Sequence, residues 1–346
     1  MKYRLYTTSS KAWDGMFKAM AKAEKSIYLE MYILSFDTNE THNFFHLLED
    51  KARSGVNVVI IADAYGSSSL KPEMVKSLRG AGAEFIFFSH WLKRTHRKIL
   101  IIDNKVAFLG GVNIEEKIRN WRDLQIKIEG GAVKLIARTF AKSYRKCGGR
   151  QQSVLQLSSA SFSNRITSRI MENWTGTNKL YYLNNYYQHK IAEAQSLIQI
   201  VTPYLLPPRW LIAALDDACR RGVKIEIIIP LDTDVKALNK INYLNCCRLS
   251  NIGVKFFMTK TMNHAKLMLI DNLEGLVGSQ NMDIFSFGWN FEVGIFSRQK
   301  NLVADLEKII ETWKGEAEPF DVEYKTKISL SDRLLIHFFK FFYPIF

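Results

Sequence analysis

HRKILIID (96–103) and HAKLMLID (264–271) are two versions of one string, His-x-Lys-x4-Asp, set 168 residues apart in the same chain. Each is followed at the same interval by Gly-x-x-Asn, as GGVN (110–113) and then GSQN (278–281). One His-x-Lys arises often by chance. The whole string twice, with the same trailer, is a duplication.

The flanking sequence repeats in step. IYLEMYIL (27–34) and the later run from Ile198 to Leu206 are short, apolar and rich in β-branched or aromatic residues, so each predicts a buried strand. HNFFHLLEDKARSG (42–55) and WLIAALDDACRRG (210–222) predict helices that stop at a basic turn and a glycine. VNVVIIAD (56–63) and VKIEIIIP (223–230) follow as strands, and after Gly82 and Gly253 come AEFIFF and VKFF. Strand–helix–strand–helix–strand in each half predicts an α/β fold of two similar α-β-α lobes, each with a mixed, mostly parallel sheet. The lobes are expected over 1–150 and 151–320, with an aromatic-rich tail over 321–346. The polar stretch CGGRQQSVLQLSSASFSNR, from Cys147, falls near the boundary.

Composition is that of a globular chain, 47% hydrophobic and 24% charged, which excludes a disordered one. A formal charge of +14 favours polyanionic partners, and both nucleic acid and anionic lipid qualify. Four cysteines without C-x-x-C spacing predict neither a disulfide framework nor a zinc site. No run reaches the roughly 20 apolar residues that span a bilayer, and the first residues lack the apolar core of a secretory signal.

The chemistry follows from strand geometry. His and Lys two apart on a strand share a face, so His96 sits with Lys98 and His264 with Lys266. The apolar stretches before GGVN and GSQN predict hairpin return strands that bring Asn113 and Asn281 back towards the His and Lys of their own lobe. Asp103 and Asp271 close the motif beyond the strand, where hydrogen bonds that fix a turn are expected of them. Two lysines and two amides suit the non-bridging oxygens of a phosphodiester. One imidazole can attack phosphorus while the other protonates the leaving alcohol and activates the incoming one. Such chemistry needs no metal or other cofactor, and the sequence shows no carboxylate cage for an ion. A nucleophilic imidazole needs its second nitrogen held by a carboxylate. Asp123 in WRDL, 27 residues after His96, and Glu292 in WNFEV, 28 after His264, are the candidates for orienting the histidines.

The doubled motif with its Gly-x-x-Asn trailers resembles the phospholipase D superfamily over nearly the whole chain. That resemblance implies one shared active site, a two-step metal-independent reaction, and a nucleophile from the first motif. His96 is then the nucleophile and His264 the acid and base, although the residues alone would allow the reverse. The wording GGVNI, WRDLQIKIEG, GSQNMD and WNFEV is most similar to bacterial cardiolipin synthases, in the short form without N-terminal transmembrane helices. It implies joining two phosphatidylglycerols with release of glycerol, at the cytoplasmic face of the membrane as a peripheral protein. A phospholipase D-type hydrolase and a nuclease would use the same centre, and a non-catalytic lipid-binding protein on the same scaffold is the reading from another class. LLIHFFKFFYPIF (334–346) suits either an interfacial lipid anchor or a helix packed back on the protein or a partner subunit, and the stretch SHWLKRTHRK, with Trp91 among Lys93, Arg94 and Arg97, suits a lipid interface.

Overall fold

The computed structural model describes residues 1–159, 168–173 and 182–320. The aromatic tail over 321–346 lies outside the described residues. The chain divides into two compact units. The first is Met1–Glu172 together with Val277–Ser279 and Asn290–Ile295; the second takes Asn173–Leu276, Gln280–Trp289 and the chain from Phe296 onward.

The first sheet holds β1 (Lys2–Thr8), β2 (Ser26–Met31), β3 (Asn57–Asp63), β4 (Glu84–Phe88), β5 (Lys98–Ile102), β6 (Val106–Gly110) and β7 (Arg122–Glu129), in the order β1-β7-β6-β5-β2-β3-β4. The remaining strands are β8 (Ser168–Asn173), β9 (Leu197–Val201), β10 (Leu205–Leu206), β11 (Lys224–Pro230), β12 (Lys255–Thr259), β13 (Leu267–Ile270), β14 (Glu274–Gly278), β15 (Met282–Asp283), β16 (Glu292–Ser297) and β17 (Glu318–Pro319). Eight of them form a sheet in the order β17-β12-β11-β9-β13-β14-β16-β8, and β10 pairs with β15. The repeat legible in the sequence is thus a repeat of sheet topology: β2, β3, β4, β5, β6 correspond to β9, β11, β12, β13, β14.

The sheets are mixed, but the expectation of mostly parallel strands is corrected. In the first sheet only β2-β3-β4 run parallel, while β5 to β7 and β1 are antiparallel to their neighbours. Helical crossovers connect only the parallel strands; from β5 onward the chain turns back on itself as hairpins, and hairpins give antiparallel pairs.

Helix 9–21 opens at Thr8, whose hydroxyl accepts from Lys11 N at 3.3 Å. Its buried Trp13 packs in the core with Phe44, Leu48, Ile60 and Phe108. Each fully buried side chain of this size contributes about 1.5–3 kcal/mol. Trp13 Nε1 also donates to the carbonyl of Asn113 at 2.8 Å, so the core helix grips the Gly-x-x-Asn loop directly. Helices 44–53 and 209–220 stop where expected, before Gly55 and Gly222, both at positive φ (87° and 86°) that only glycine adopts without strain. No described helix is long and apolar enough to cross a membrane.

Candidate active site

His96 lies just before β5, and Lys98 opens that strand, across from Met31 of β2. His96 and Lys98 are buried. The imidazole Nδ1 is 3.0 Å from Oε1 and 3.2 Å from Oε2 of Glu292, which is wholly inaccessible to solvent. Spacing matches Asp123 to His96 and Glu292 to His264, and the structure corrects this: His96 takes Glu292, 196 residues further on. Ser279, from the second Gly-x-x-Asn, donates its hydroxyl to the same carboxylate. Burial pushes the Glu292 carboxyl up, but the charges of His96 and Lys98 and the hydrogen bonds from His96 and Ser279 outweigh it and hold it below the usual range. An ionised Glu292 on Nδ1 fixes the proton there and leaves the chemistry to Nε2.

Lys98 Nζ donates to the carbonyl of His96 at 2.7 Å and stands 4.9 Å above the ring of Tyr32. Tyr32 in turn meets the His96 ring edge-on at 4.8 Å. Its hydroxyl is pushed up to about 12, by burial first and then by the charge of Asp63. The second unit repeats the pattern. Lys266 donates to the carbonyl of His264, and Tyr204 lies edge-on to that histidine at 6.2 Å. Neither tyrosine was singled out from the sequence: both follow the first strand of their repeat, but strand register sets Tyr32 against Pro203 and Tyr204 one residue further on, so the repeat does not pair them.

The Gly-x-x-Asn asparagines are both buried. Asn113 spends Oδ1 on the amide of Ile33 at 3.2 Å, so its NH2 is the end left to donate. Asn281 receives no such bond: its main-chain N–H donates to Ser286 Oγ at 3.0 Å, and its buried Oδ1 has no hydrogen-bond partner. A buried amide oxygen without a partner is costly. Asp123, at the start of β7, is buried and holds Leu124 N at 2.7 Å.

The motif aspartates stand elsewhere. Asp103 and Asn104 both have φ near +50°, as do Asp271 and Asn272, which is the backbone of a tight hairpin turn. Each carboxylate reaches back to the amides leading into the first strand of its repeat. Asp103 accepts from Glu24, Lys25 and Ser26 N at 2.7–3.1 Å, and Asp271 from Gln195, Ser196 and Leu197 N at 2.8–2.9 Å. Burial opposes ionisation, but these amides prevail and hold both carboxyls below the usual range. They lie at the far end of the strand from the histidine, and the structure gives them the turn, not the reacting atoms.

Arg97 requires a correction. Read as part of an exposed basic patch, it is fully buried. Alternation along the strand turns it to the face opposite His96, where helix 132–146 covers it. Its guanidinium donates to Ser143 Oγ at 2.8 Å and to the main-chain carbonyl of Glu292 at 3.2 Å, and lies 4.0 Å from buried Glu30.

The family model described as cardiolipin synthase, PLD-like domain, matches residues 16–144 and 187–313, one match per repeat. The chain is 32% identical over 327 residues to a cardiolipin synthase of Clostridium perfringens, covering 88% of this chain and 68% of that one. It is 27% identical over 337 residues to the minor cardiolipin synthase of Bacillus subtilis, covering 92% and 83%. The phosphatidylserine synthase structure from Haemophilus influenzae superposes with a TM-score of 0.78 over 99% of this chain and 93% of that one; at 14% identity it shares the fold. Fold and doubled motif together define a phospholipase D-type enzyme. The chain belongs to the cardiolipin synthase family of that superfamily and is a phosphatidyltransferase of that type.

Proposed function

We propose that the enzyme makes cardiolipin from two phosphatidylglycerol molecules through a covalent phosphatidyl-histidine. The observation that carries the reading is the buried pair of His96 Nδ1 and Glu292 beside Lys98. A carboxylate on Nδ1 makes Nε2 the basic, nucleophilic nitrogen.

In the first step Nε2 of His96 attacks phosphorus, the bond from phosphorus to the glycerol headgroup breaks, and the His264 imidazolium gives its proton to the leaving alkoxide. In the second step the now neutral His264 takes the proton of a headgroup hydroxyl on another phosphatidylglycerol. That oxygen attacks phosphorus and the phosphorus–nitrogen bond breaks, releasing cardiolipin and restoring both histidines. Lys98, Lys266, Asn113 and Asn281 neutralise and hold the non-bridging oxygens. Glu292 and Asp123 are the histidine-orienting carboxylates. The reaction takes place on anionic lipid at the cytoplasmic membrane face, with the enzyme bound peripherally, and it uses no metal.

The test is the product of purified enzyme with phosphatidylglycerol vesicles, resolved by mass spectrometry beside His96→Ala. Cardiolipin and glycerol, absent with the variant, support the reading. Phosphatidic acid would make water the acceptor and the enzyme a hydrolase. Cleavage of single-stranded DNA without any lipid product would replace the lipid reading with a nuclease.

A further inference from the structure

The chain between β4 and His96 is a loop that uses up its own polar groups. The amides of Leu92 and Lys93 both donate to His90 Nδ1 at 3.2 Å. The Arg94 guanidinium closes the loop from inside, donating to the carbonyls of His90 at 2.7 Å and Lys93 at 3.0 Å, and it lies 4.5 Å over the ring of Tyr65. At the base, Thr95 N donates to Asp63 at 2.8 Å, and Arg94 O accepts from Phe291 N at 2.8 Å. A loop tied in this way is held in shape before anything binds.

What it holds outward is apolar. Trp91 is 83% exposed, Leu92 and Tyr65 are also exposed, and Lys93 is half-buried beside them. Scattered single apolar residues on a surface need no explanation, but a Trp–Leu tip on a preorganised loop, ringed by Tyr, Lys and Arg, does. Tryptophan and tyrosine with adjacent basic residues are the composition of a surface that sits at the headgroup level of a bilayer.

We infer that the loop His90–Arg94, with Tyr65, docks the enzyme on an anionic lipid interface, and this rests on the reading that its substrates are membrane lipids. Trp91 and Leu92 enter the interfacial zone and Lys93 faces the negative headgroups. Trp91 is five residues from His96, at most roughly 17 Å of extended chain, so docking here holds the nucleophile close to the layer that contains the scissile phosphodiesters. The basic composition alone would also serve single-stranded nucleic acid, but Leu92 gives a base nothing to stack on, whereas it adds to bilayer insertion.

The experiment pairs vesicle binding with activity on dispersed substrate. Wild type and the double variant Trp91→Ser/Leu92→Ser are sedimented with phosphatidylglycerol vesicles and, separately, with phosphatidylcholine vesicles. Binding to the anionic vesicles is expected to weaken at least tenfold in the variant. Turnover of short-chain, monomeric phosphatidylglycerol is expected within twofold of wild type, and an unchanged melting temperature verifies the fold. Because other parts of the chain can also touch lipid, quenching of tryptophan fluorescence by brominated phosphatidylglycerol is compared between wild type and Trp91→Phe. Loss of a component of quenching in Trp91→Phe places Trp91 in the bilayer. Identical quenching in both proteins, or single-stranded DNA binding that the double variant loses while vesicle binding is unaltered, overturns the docking surface. If Trp91-dependent binding is seen but wild type turns over no phosphatidylglycerol in any form, the docking stands and the cardiolipin reading fails.

Discussion

The surroundings of His96 and of His264 were built from one repeat and have been filled differently. Strand register aligns them: Glu30 is opposite Ile99 as Val201 is opposite Leu267, and Asp63 beside Phe88 corresponds to Pro230 beside Thr259. Arg97, between the motif His and Lys, corresponds to Ala265. Three buried ionisable groups around the first histidine are thus Val201, Pro230 and Ala265 around the second, all buried. Glu30 and Asp63 are both pushed up by burial, with Arg97, Thr95 and Ser143 pulling Glu30 back and main-chain amides pulling Asp63 back. Buried ion pairs are poor sources of stability but set geometry. Here Arg97 holds the main chain of Glu292, which holds His96, so the ionic filling sits behind the histidine assigned as nucleophile. A duplicated motif can thus keep its His and Lys while the buried residues behind its two copies diverge.

The largest effect tests whether the copies differ in role at all. His96→Ala and His264→Ala should each lower transfer by on the order of 10⁴-fold or more, as members of a catalytic unit do. A variant of either one that keeps wild-type turnover would mean that this histidine is dispensable. Next comes Glu292→Gln, expected to lower kcat by roughly 10³-fold through loss of tautomer control. Protonated His96 lowers the Glu292 carboxyl, so by reciprocity the ionised carboxylate favours imidazolium. Removing it should shift the acid limb of the kcat/KM profile to lower pH; an unmoved limb would show that Glu292 does not sense His96.

Transplanting the second copy into the first is the sharper test of the comparison. Arg97→Ala alone strands Glu30 in the core and should cost about 3–5 kcal/mol of stability. Glu30→Val with Arg97→Ala, the pair found in the second half, should recover most of that stability while kcat stays depressed. Full recovery of both would make the network mere packing. A smaller change separates the two Gly-x-x-Asn loops. A Cβ on Gly111 would fall 2.0 Å from Asp123 Oδ1, whereas the matching Ser279 bonds Glu292. Gly111→Ala should displace Asp123 and reduce activity as much as Asp123→Ala does; a fully active Gly111→Ala protein would show that Asp123 can move without consequence.

The smallest expected difference is between Asp103→Ala and Asp271→Ala, since both do the same task. Each should lose about 1–3 kcal/mol of stability from its charge-assisted bonds to amides. With folded carboxyls held below the unfolded value, that stability is present above the unfolded pKa and disappears as pH falls through the folded one. The gap between wild type and variants, measured by denaturant midpoints, should therefore close in acid.

Much of this was legible before the fold was known because the duplication supplied its own control. His96, Lys98, His264 and Lys266 were found by comparing the chain with itself, and the hairpins followed from the apolar stretches before GGVN and GSQN. The antiparallel half of each sheet was not legible from helix–strand alternation, which describes only the crossovers. Arg97 misled for a plain reason. A charged residue beside others in SHWLKRTHRK reads as surface, and only a helix packed on the second face of the sheet reveals that it is buried. The partner of His96 was hidden because 196 residues separate it from Glu292, a contact that topology makes and spacing does not show.

The proposed mechanism turns on the covalent step at His96. His264→Ala enzyme mixed with phosphatidylglycerol, quenched in alkaline denaturant and digested, should carry one phosphatidyl group on the peptide containing His96, and the same treatment of His96→Ala should leave no adduct. An adduct on His264 in the His96→Ala protein would reverse the two roles, and cardiolipin formed by the wild type with no adduct on either histidine would contradict the covalent mechanism itself.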